Sequence, residues 1–481
     1  MGGRLGDMYS RKWVLIIGLI GFAVASAIGG AAVSFVMLVS ARALQGAFGA
    51  ILAPSALGTL VSTFRDPLER GRAFAVFGSV AVGGGAVGLI LGGVLTQYLS
   101  WRYTLFVNLI FAAIAVAGAL AYIRSSRPAS PPHMDWPGAV LACSGLFLIV
   151  FGFSRAETAG WTATLTLGSL VLGAVLLTAF VVAEQRSSHP LLPLRVILDR
   201  TRGGAYVAVG ITGIALFAIF LFLTFYMQQV KGYSPLTSGL LFLPLVAGIL
   251  VSSTLYSVVL LPRAGPRSLV TAGMLLGASG AAYLAQLTVT SSYPGGVLPA
   301  LLIMGLGFGL IFASAVNSAT AGVPRQDSGV ASALVNTMQQ VGGSIGISVL
   351  STIAASATTS YLITHHTGPQ APAIAATHGY TLAFTISAAL LGLGAILAIL
   401  MLPSRKRLEK LTSEASALIP EPESQVAAPA VAPQHQVASE LQPAVKVMPV
   451  GLLCCSPVID PGLPPGGGQA VLVAGGLGPG G

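Results

Sequence analysis

Between Trp13 and Val33 no charged side chain interrupts the apolar residues, and the chain repeats this pattern as far as Pro403. A helix needs about 20 apolar residues to cross a hydrocarbon layer. Segments of that kind lie near 13–33, 35–62, 73–99, 102–123, 137–153, 162–183, 204–229, 235–261, 268–287, 296–321, 331–356 and 380–402. The pattern therefore predicts twelve spanning helices, with Gly and Pro tolerated inside them wherever neighbouring helices cover the backbone. Beyond Pro403 the pattern stops. Residues 404–481 are rich in Pro, Ala, Gly and Gln and are expected to stay disordered.

Composition agrees with an integral membrane protein. Charged residues are 8% and hydrophobic residues 54% of 481, where a soluble domain carries roughly 25% charged. The net charge of +10 would suggest nucleic acid only if the basic residues shared a surface, and they do not. With the N-terminus placed in the cytoplasm, 19 of the 24 Lys and Arg fall in inner loops, while the outer loops hold only Arg102, Arg155 and Lys231. That bias predicts a multi-pass plasma-membrane protein with both termini cytoplasmic. Of the three cysteines, Cys143 lies in an apolar segment and Cys454 and Cys455 in the tail, so no disulfide framework is implied.

Candidate chemistry is sparse. All 14 acidic residues and all six histidines lie in loops, at span edges or in the tail. No grouping has metal-ligand or nucleophile spacing, which argues against an enzyme and predicts no metal or cofactor. The adjacent His365 and His366 read as solvated loop residues. The one charge well inside a span is Arg42, in "LVSARALQGAFGA". A charge in a bilayer costs at least about 2.5–3.5 kcal/mol, so it usually faces a protein interior. Arg42, Gln45, Gly46 and Gly49 share one helical face, and a cavity lining is preferred here to an arginine snorkelling to the interface.

Three glycine-rich stretches read as helix packing: Gly84, Gly88 and Gly92 at four-residue spacing, 305–309, and 342–346. A faint internal repeat also runs through the chain. Arg11, Val14, Leu19, Gly21 and Ala25 recur 256 residues later, and Gly49 and Ala53 recur 260 residues later. Parallel repeats of this kind mark transporters and argue against a channel or receptor. The two segments before Arg267 have no counterpart before Arg11, so the repeat leads us to expect about 60 further residues ahead of Met1.

With these motifs in view, residues 2 to about 402 resemble the fourteen-span drug–proton antiporter family of the major facilitator superfamily. "GGRLGDMYSRK" resembles the loop between that superfamily's second and third helices, with Gly3, Asp7, Arg11 and Lys12 as a cytoplasmic gating loop. "RALQG" resembles its fourth-helix motif, so the resemblance gives Arg42, Gln45 and Gly46 a role in transport and coupling. "GLILGG" resembles the antiporter motif through Gly88, Gly92 and Gly93, with Leu89 in place of its Pro. "SWRYTLFVN" and "GVASALVNTMQQVGGSIGISVL" also resemble family segments.

The resemblance implies an all-α fold of two helical bundles. Residues 1–123 would form a partial N-terminal bundle of four helices, 124–203 two linker helices with cytoplasmic loops, 204–402 a C-terminal six-helix bundle, and 403–481 the tail. It implies a monomeric transporter that exports lipophilic or cationic drugs on the proton gradient. Phe225, Tyr226, Gln228, Asn336 and Gln340 are the candidate substrate contacts, because ring faces and amides suit such molecules. Family members carry a first-helix Asp as coupling acid, and no carboxylate lies deep in a span between 13 and 402. A poorly coupled fragment is the alternative expectation.

Overall fold

The computed structural model describes residues 10–63, 67–123, 135–187, 192–260, 263–320, 323, 328–364 and 368–404. Gly3, Asp7, His365, His366, Cys454, Cys455 and the tail from Arg405 lie outside them. A helix forms over each of the twelve predicted segments. In chain order these are α1 (Arg11–Gly30), α2 (Phe35–Thr63), α3 (Pro67–Tyr98), α4 (Tyr103–Tyr122), α5 (Trp136–Ala159) and α6 (Thr164–Arg186). A short α7 (Leu194–Leu198), which the apolar pattern does not predict, precedes α8 (Arg200–Phe225). There follow α9 (Pro235–Leu241), α10 (Leu243–Leu255), α11 (Pro266–Leu284), α12 (Leu298–Thr320), α13 (Ser328–Thr364) and α14 (Ala371–Met401). The predicted span 235–261 is thus broken into α9, α10 and a single π-turn at Tyr256–Leu260.

Among the described residues, ten spans are long and apolar enough to cross a membrane. Helices α3 and α11 lie outside that set. Three helix starts carry side-chain caps. Asp135 Oδ1 accepts from the Gly138 amide at 2.9 Å, Asp199 Oδ1 from the Arg202 amide at 3.0 Å, and Ser234 Oγ from the Thr237 amide at 3.2 Å. Pro235 and Pro266 occupy first helical positions, where no amide proton is needed. At the end of α5, Gly160 takes φ +84°, which a side chain would resist.

The packing falls into connected groups. Helix α1 lies against α2 and α4, and α5 pairs with α6. Helix α8 packs on α12, α13 and α14, while α12 also packs on α10 and α11. The last group holds the main core, where Tyr226, Phe242, Phe308 and Phe384 are fully buried. Helix α5 reaches this group through α13, and α3 reaches it through α9 and α10.

The internal repeat is visible as a packing contact. A β-carbon on Gly21 would run into the Phe48 ring, and one on Gly277 would lie 3.3 Å from the Phe308 ring. The offsets of these two pairs are those read from the sequence, so α1–α2 and α11–α12 are equivalent helix pairs.

Candidate functional site

Ser26 on α1, Arg42 and Gln45 on α2, and Asn108 on α4 are brought together where those three helices meet. Gln45 is 4% exposed and Ser26 1%. Arg42 Nη1 donates to Gln45 Oε1 at 2.5 Å, and Gln45 Nε2 donates to Ser26 Oγ. Asn108 Nδ2 reaches the same oxygen at 3.4 Å. Burying these amides without partners would cost several kcal/mol, and the chain of bonds removes most of that cost. Arg42 itself stands on the open side of α2. A β-carbon on Gly46 would meet nothing within 4 Å there. Among the described residues the hydrogen-bond partner of the Arg42 guanidinium is Gln45 Oε1.

The glycine stripe on α3 behaves differently from the packing surface read in the sequence. A β-carbon on Gly84, Gly88 or Gly92 would meet nothing within 4 Å, so these positions are open. Gly93, one residue further round the helix, is the one that packs. Its β-carbon would lie 2.8 Å from Leu236 Cα and 3.0 Å from Pro235 O. Reciprocally, a β-carbon on Gly239 of α9 would lie 2.6 Å from Leu89 O, and the Leu236 amide donates to Gln97 Oε1 at 3.3 Å. The other two stretches pack as expected. Gly305 sits on Gly248, Gly307 on Gly273, and Gly342 on Gly210.

Among the candidate substrate contacts, Phe225 is 36% exposed, and its ring centre lies 6.3 Å from that of Tyr380. Gln228 is half-buried. Asn336 and Gln340 are exposed one turn apart on α13. Tyr226 is placed differently from the expectation that it offers a ring face to a ligand. It is 1% exposed, and its hydroxyl donates to Thr288 O at 2.7 Å. Lys231 lies over its ring and donates to Val289 O at 2.8 Å, and burial lowers the pKa of that ammonium. Both groups clamp the 288–291 turn.

In the loop-derived motif, Lys12 Nζ donates to Leu120 O at 2.9 Å, capping the end of α4, and Arg11 is half-buried at the start of α1. The "SWRYTLFVN" segment supplies a second cap. Arg102 Nη1 donates to Gly30 O at 3.1 Å and Ala32 O at 2.5 Å while its guanidinium lies 5.0 Å from the Trp101 ring centre. Among the described residues no three His, Cys, Asp or Glu side chains are grouped to hold a metal. An apolar hollow of about 510 Å³ lies on α5 and α6, lined by Leu148, Phe151, Leu165 and Leu172 among others; none of the candidate residues lines it.

The family model of the Major Facilitator Superfamily matches residues 1–347. The chain belongs to this superfamily. It is accordingly a transmembrane transporter and not an enzyme. A puromycin resistance protein of Streptomyces alboniger is 43% identical over 418 residues, covering 86% of this chain and 83% of that protein. A cephamycin export protein of Amycolatopsis lactamdurans is 38% identical over 365 residues, covering 74% of each. The crystal structure of a POT family peptide transporter, PepTSo, matches with a TM-score of 0.59 at 15% identity, over 85% of this chain and 86% of that one. At that identity the last likeness speaks for the fold alone.

Sequence reasoning missed Ser26, Asn108 and Gly239, and it placed Glu184 merely at a span edge. Glu184 is 4% exposed on the last turns of α6 and accepts from the Leu192 amide at 3.0 Å. Ser26 is a polar residue in the apolar run of α1 and Asn108 closes the "SWRYTLFVN" segment, but neither signal shows that the two meet.

Proposed function

We propose that the chain exports lipophilic, partly cationic antibiotics across the plasma membrane in exchange for protons, as a monomer in the bilayer with both ends in the cytoplasm. The observation that carries the reading is Arg42. An ionised group on the exposed side of α2 is held by a buried amide and hydroxyl network where three otherwise apolar helices meet. A membrane helix retains such a residue at a cost of a few kcal/mol, which a role in transport would justify.

In this reading Arg42, Gln45 and Gly46 form the transport and coupling face, and Gly3, Asp7, Arg11 and Lys12 belong to a cytoplasmic gating loop. Residues 1–123 and 204–402 move as two bundles, with 124–203 as a linker unit between them. Phe225, Gln228, Asn336 and Gln340 meet the substrate, and Gly93 on α3 seats that helix against α9. The likeness to antibiotic resistance and export proteins supports the substrate class. Coupling needs a carboxyl that titrates near working pH; Asp7, Glu157 and Glu184 are the acids to test.

Expression in a puromycin-sensitive bacterium tests the proposal. The expected result is raised puromycin tolerance, with reduced cellular puromycin that recovers when an uncoupler is added. Unchanged tolerance together with no puromycin binding by the purified chain would rule the proposal out.

A further inference from the structure

We infer that Ser26, held by Asn108, is a positioning residue that fixes the Gln45 amide in the one orientation able to accept from Arg42. The inference rests on the proposed transport role of Arg42. Its physical basis is donor direction. A guanidinium only donates, so the atom Gln45 turns toward Arg42 must be Oε1. The other end of the amide, Nε2, also only donates, so whatever it meets must accept. Ser26 Oγ is that acceptor.

At 1% exposure Ser26 has no water to turn to, and its hydroxyl keeps a proton that needs an acceptor of its own. Asn108 stands 3.4 Å away. Turned through half a revolution about its last bond, Asn108 offers Oδ1 to that proton. All the donors then point one way, from Arg42 through Gln45 and Ser26 to Asn108, crossing from α2 to α1 to α4. Every oxygen in the chain faces the positive charge, and such bonds polarise one another in a low-dielectric interior. Without the Ser26 hydroxyl, Gln45 Nε2 has no partner, the amide is free to rotate, and Arg42 loses its fixed acceptor. The internal repeat underlines that the device is particular to the first half. The 256- and 260-residue offsets place Ala282, Leu302 and Gly305 where Ser26, Arg42 and Gln45 stand.

The test compares Ser26→Ala, Ser26→Thr and Arg42→Ala in the full chain. Puromycin efflux is followed over a range of concentrations, alongside the melting temperature of the purified protein. Ser26→Ala is expected to lower maximal efflux roughly tenfold, the equivalent of one buried hydrogen bond, with the half-maximal concentration unchanged. Its melting temperature should fall modestly, because the buried Gln45 Nε2 loses its acceptor. Ser26→Thr keeps a hydroxyl and should restore the maximal rate. Parental efflux in Ser26→Ala would overturn the inference, as would equal loss in the Ala and Thr variants. A loss in Ser26→Ala that vanishes when efflux is normalised to the amount of folded protein would also overturn it and assign Ser26 to packing. Parental efflux in Arg42→Ala sinks instead the transport role on which the inference stands, so the two failures are distinguishable.

Discussion

A β-carbon on Gly93 would stand 2.8 Å from the Cα of Leu236, closer than such atoms pack. Glycine at 93 is therefore what lets α3 seat on α9, with Gly239 and Leu89 making the reciprocal contact. Overfilling a packed site costs about 1–3 kcal/mol, so Gly93→Val is expected to cut puromycin efflux about tenfold. Gly88 faces open space, and Gly88→Ala should change efflux less than about twofold, as open-surface changes do. Equal loss in both variants, measured at equal membrane yield, would refute the distinction.

Arg42→Ala is expected to abolish efflux while leaving insertion and yield intact, because it removes a charge and donors and leaves the packed face of α2 untouched. Arg42→Lys keeps the charge and loses the planar fork. Its expected efflux lies between parent and Ala, roughly tenfold below parent by the loss of one charge-assisted bond. Tolerance titrations in the puromycin-sensitive host read both.

The twelve helices were legible because each needs only a run of apolar residues of membrane length, a property of one segment at a time. The convergence of Ser26, Gln45 and Asn108 was not. It depends on how three helices rotate about their axes, and none of those helices carries more than a hint of its polar side. The α3 stripe misled for a related reason. Four-residue spacing says that Gly84, Gly88 and Gly92 share a face, but not what that face meets. The packed residue is Gly93, about 100° further round the helix. Glu184 looked like an ordinary charge at a span edge because burial at a helix end comes from the following chain folding back, which periodicity does not record.

Phe225 and Tyr226 are neighbours with opposite expected roles. Phe225→Ala should raise the puromycin concentration for half-maximal efflux, since its ring is open beside Tyr380. Tyr226→Phe removes the bond to Thr288 O, worth about 1 kcal/mol. It should lower the melting temperature and leave the half-maximal concentration unchanged. The reverse assignment of effects would show that Tyr226 reaches the substrate.

Leu198, 77% exposed just before α8, and Ser292, exposed before α12, should lie on opposite sides of the membrane. In a cysteine-free background, an impermeant thiol reagent applied to intact cells is expected to label Ser292→Cys. Leu198→Cys should react only after the cells are opened. Labelling of the Leu198 site from outside would invert the proposed orientation.

Glu184 offers the sharpest test of what a buried carboxylate does here. It is 4% exposed and accepts from the Leu192 amide at 3.0 Å, just before Val196 enters the core beside Tyr206 and Ala331. Its first consequence is structural. Glu184→Ala removes the acceptor of the half-buried Leu192 amide, a cost of about 1 kcal/mol, so the melting temperature should fall. Glu184→Gln retains an acceptor oxygen and should melt close to the parent. Those two variants separate anchoring from coupling, because glutamine keeps the bond but cannot release a proton. If Glu184 only anchors the linker to α7 and α8, Glu184→Gln will export puromycin at the parental rate with the same sensitivity to uncoupler. Should Glu184→Gln instead melt like the parent and lose uncoupler-sensitive efflux, the anchoring role would be insufficient. The coupling acid would then lie at the base of the linker helices.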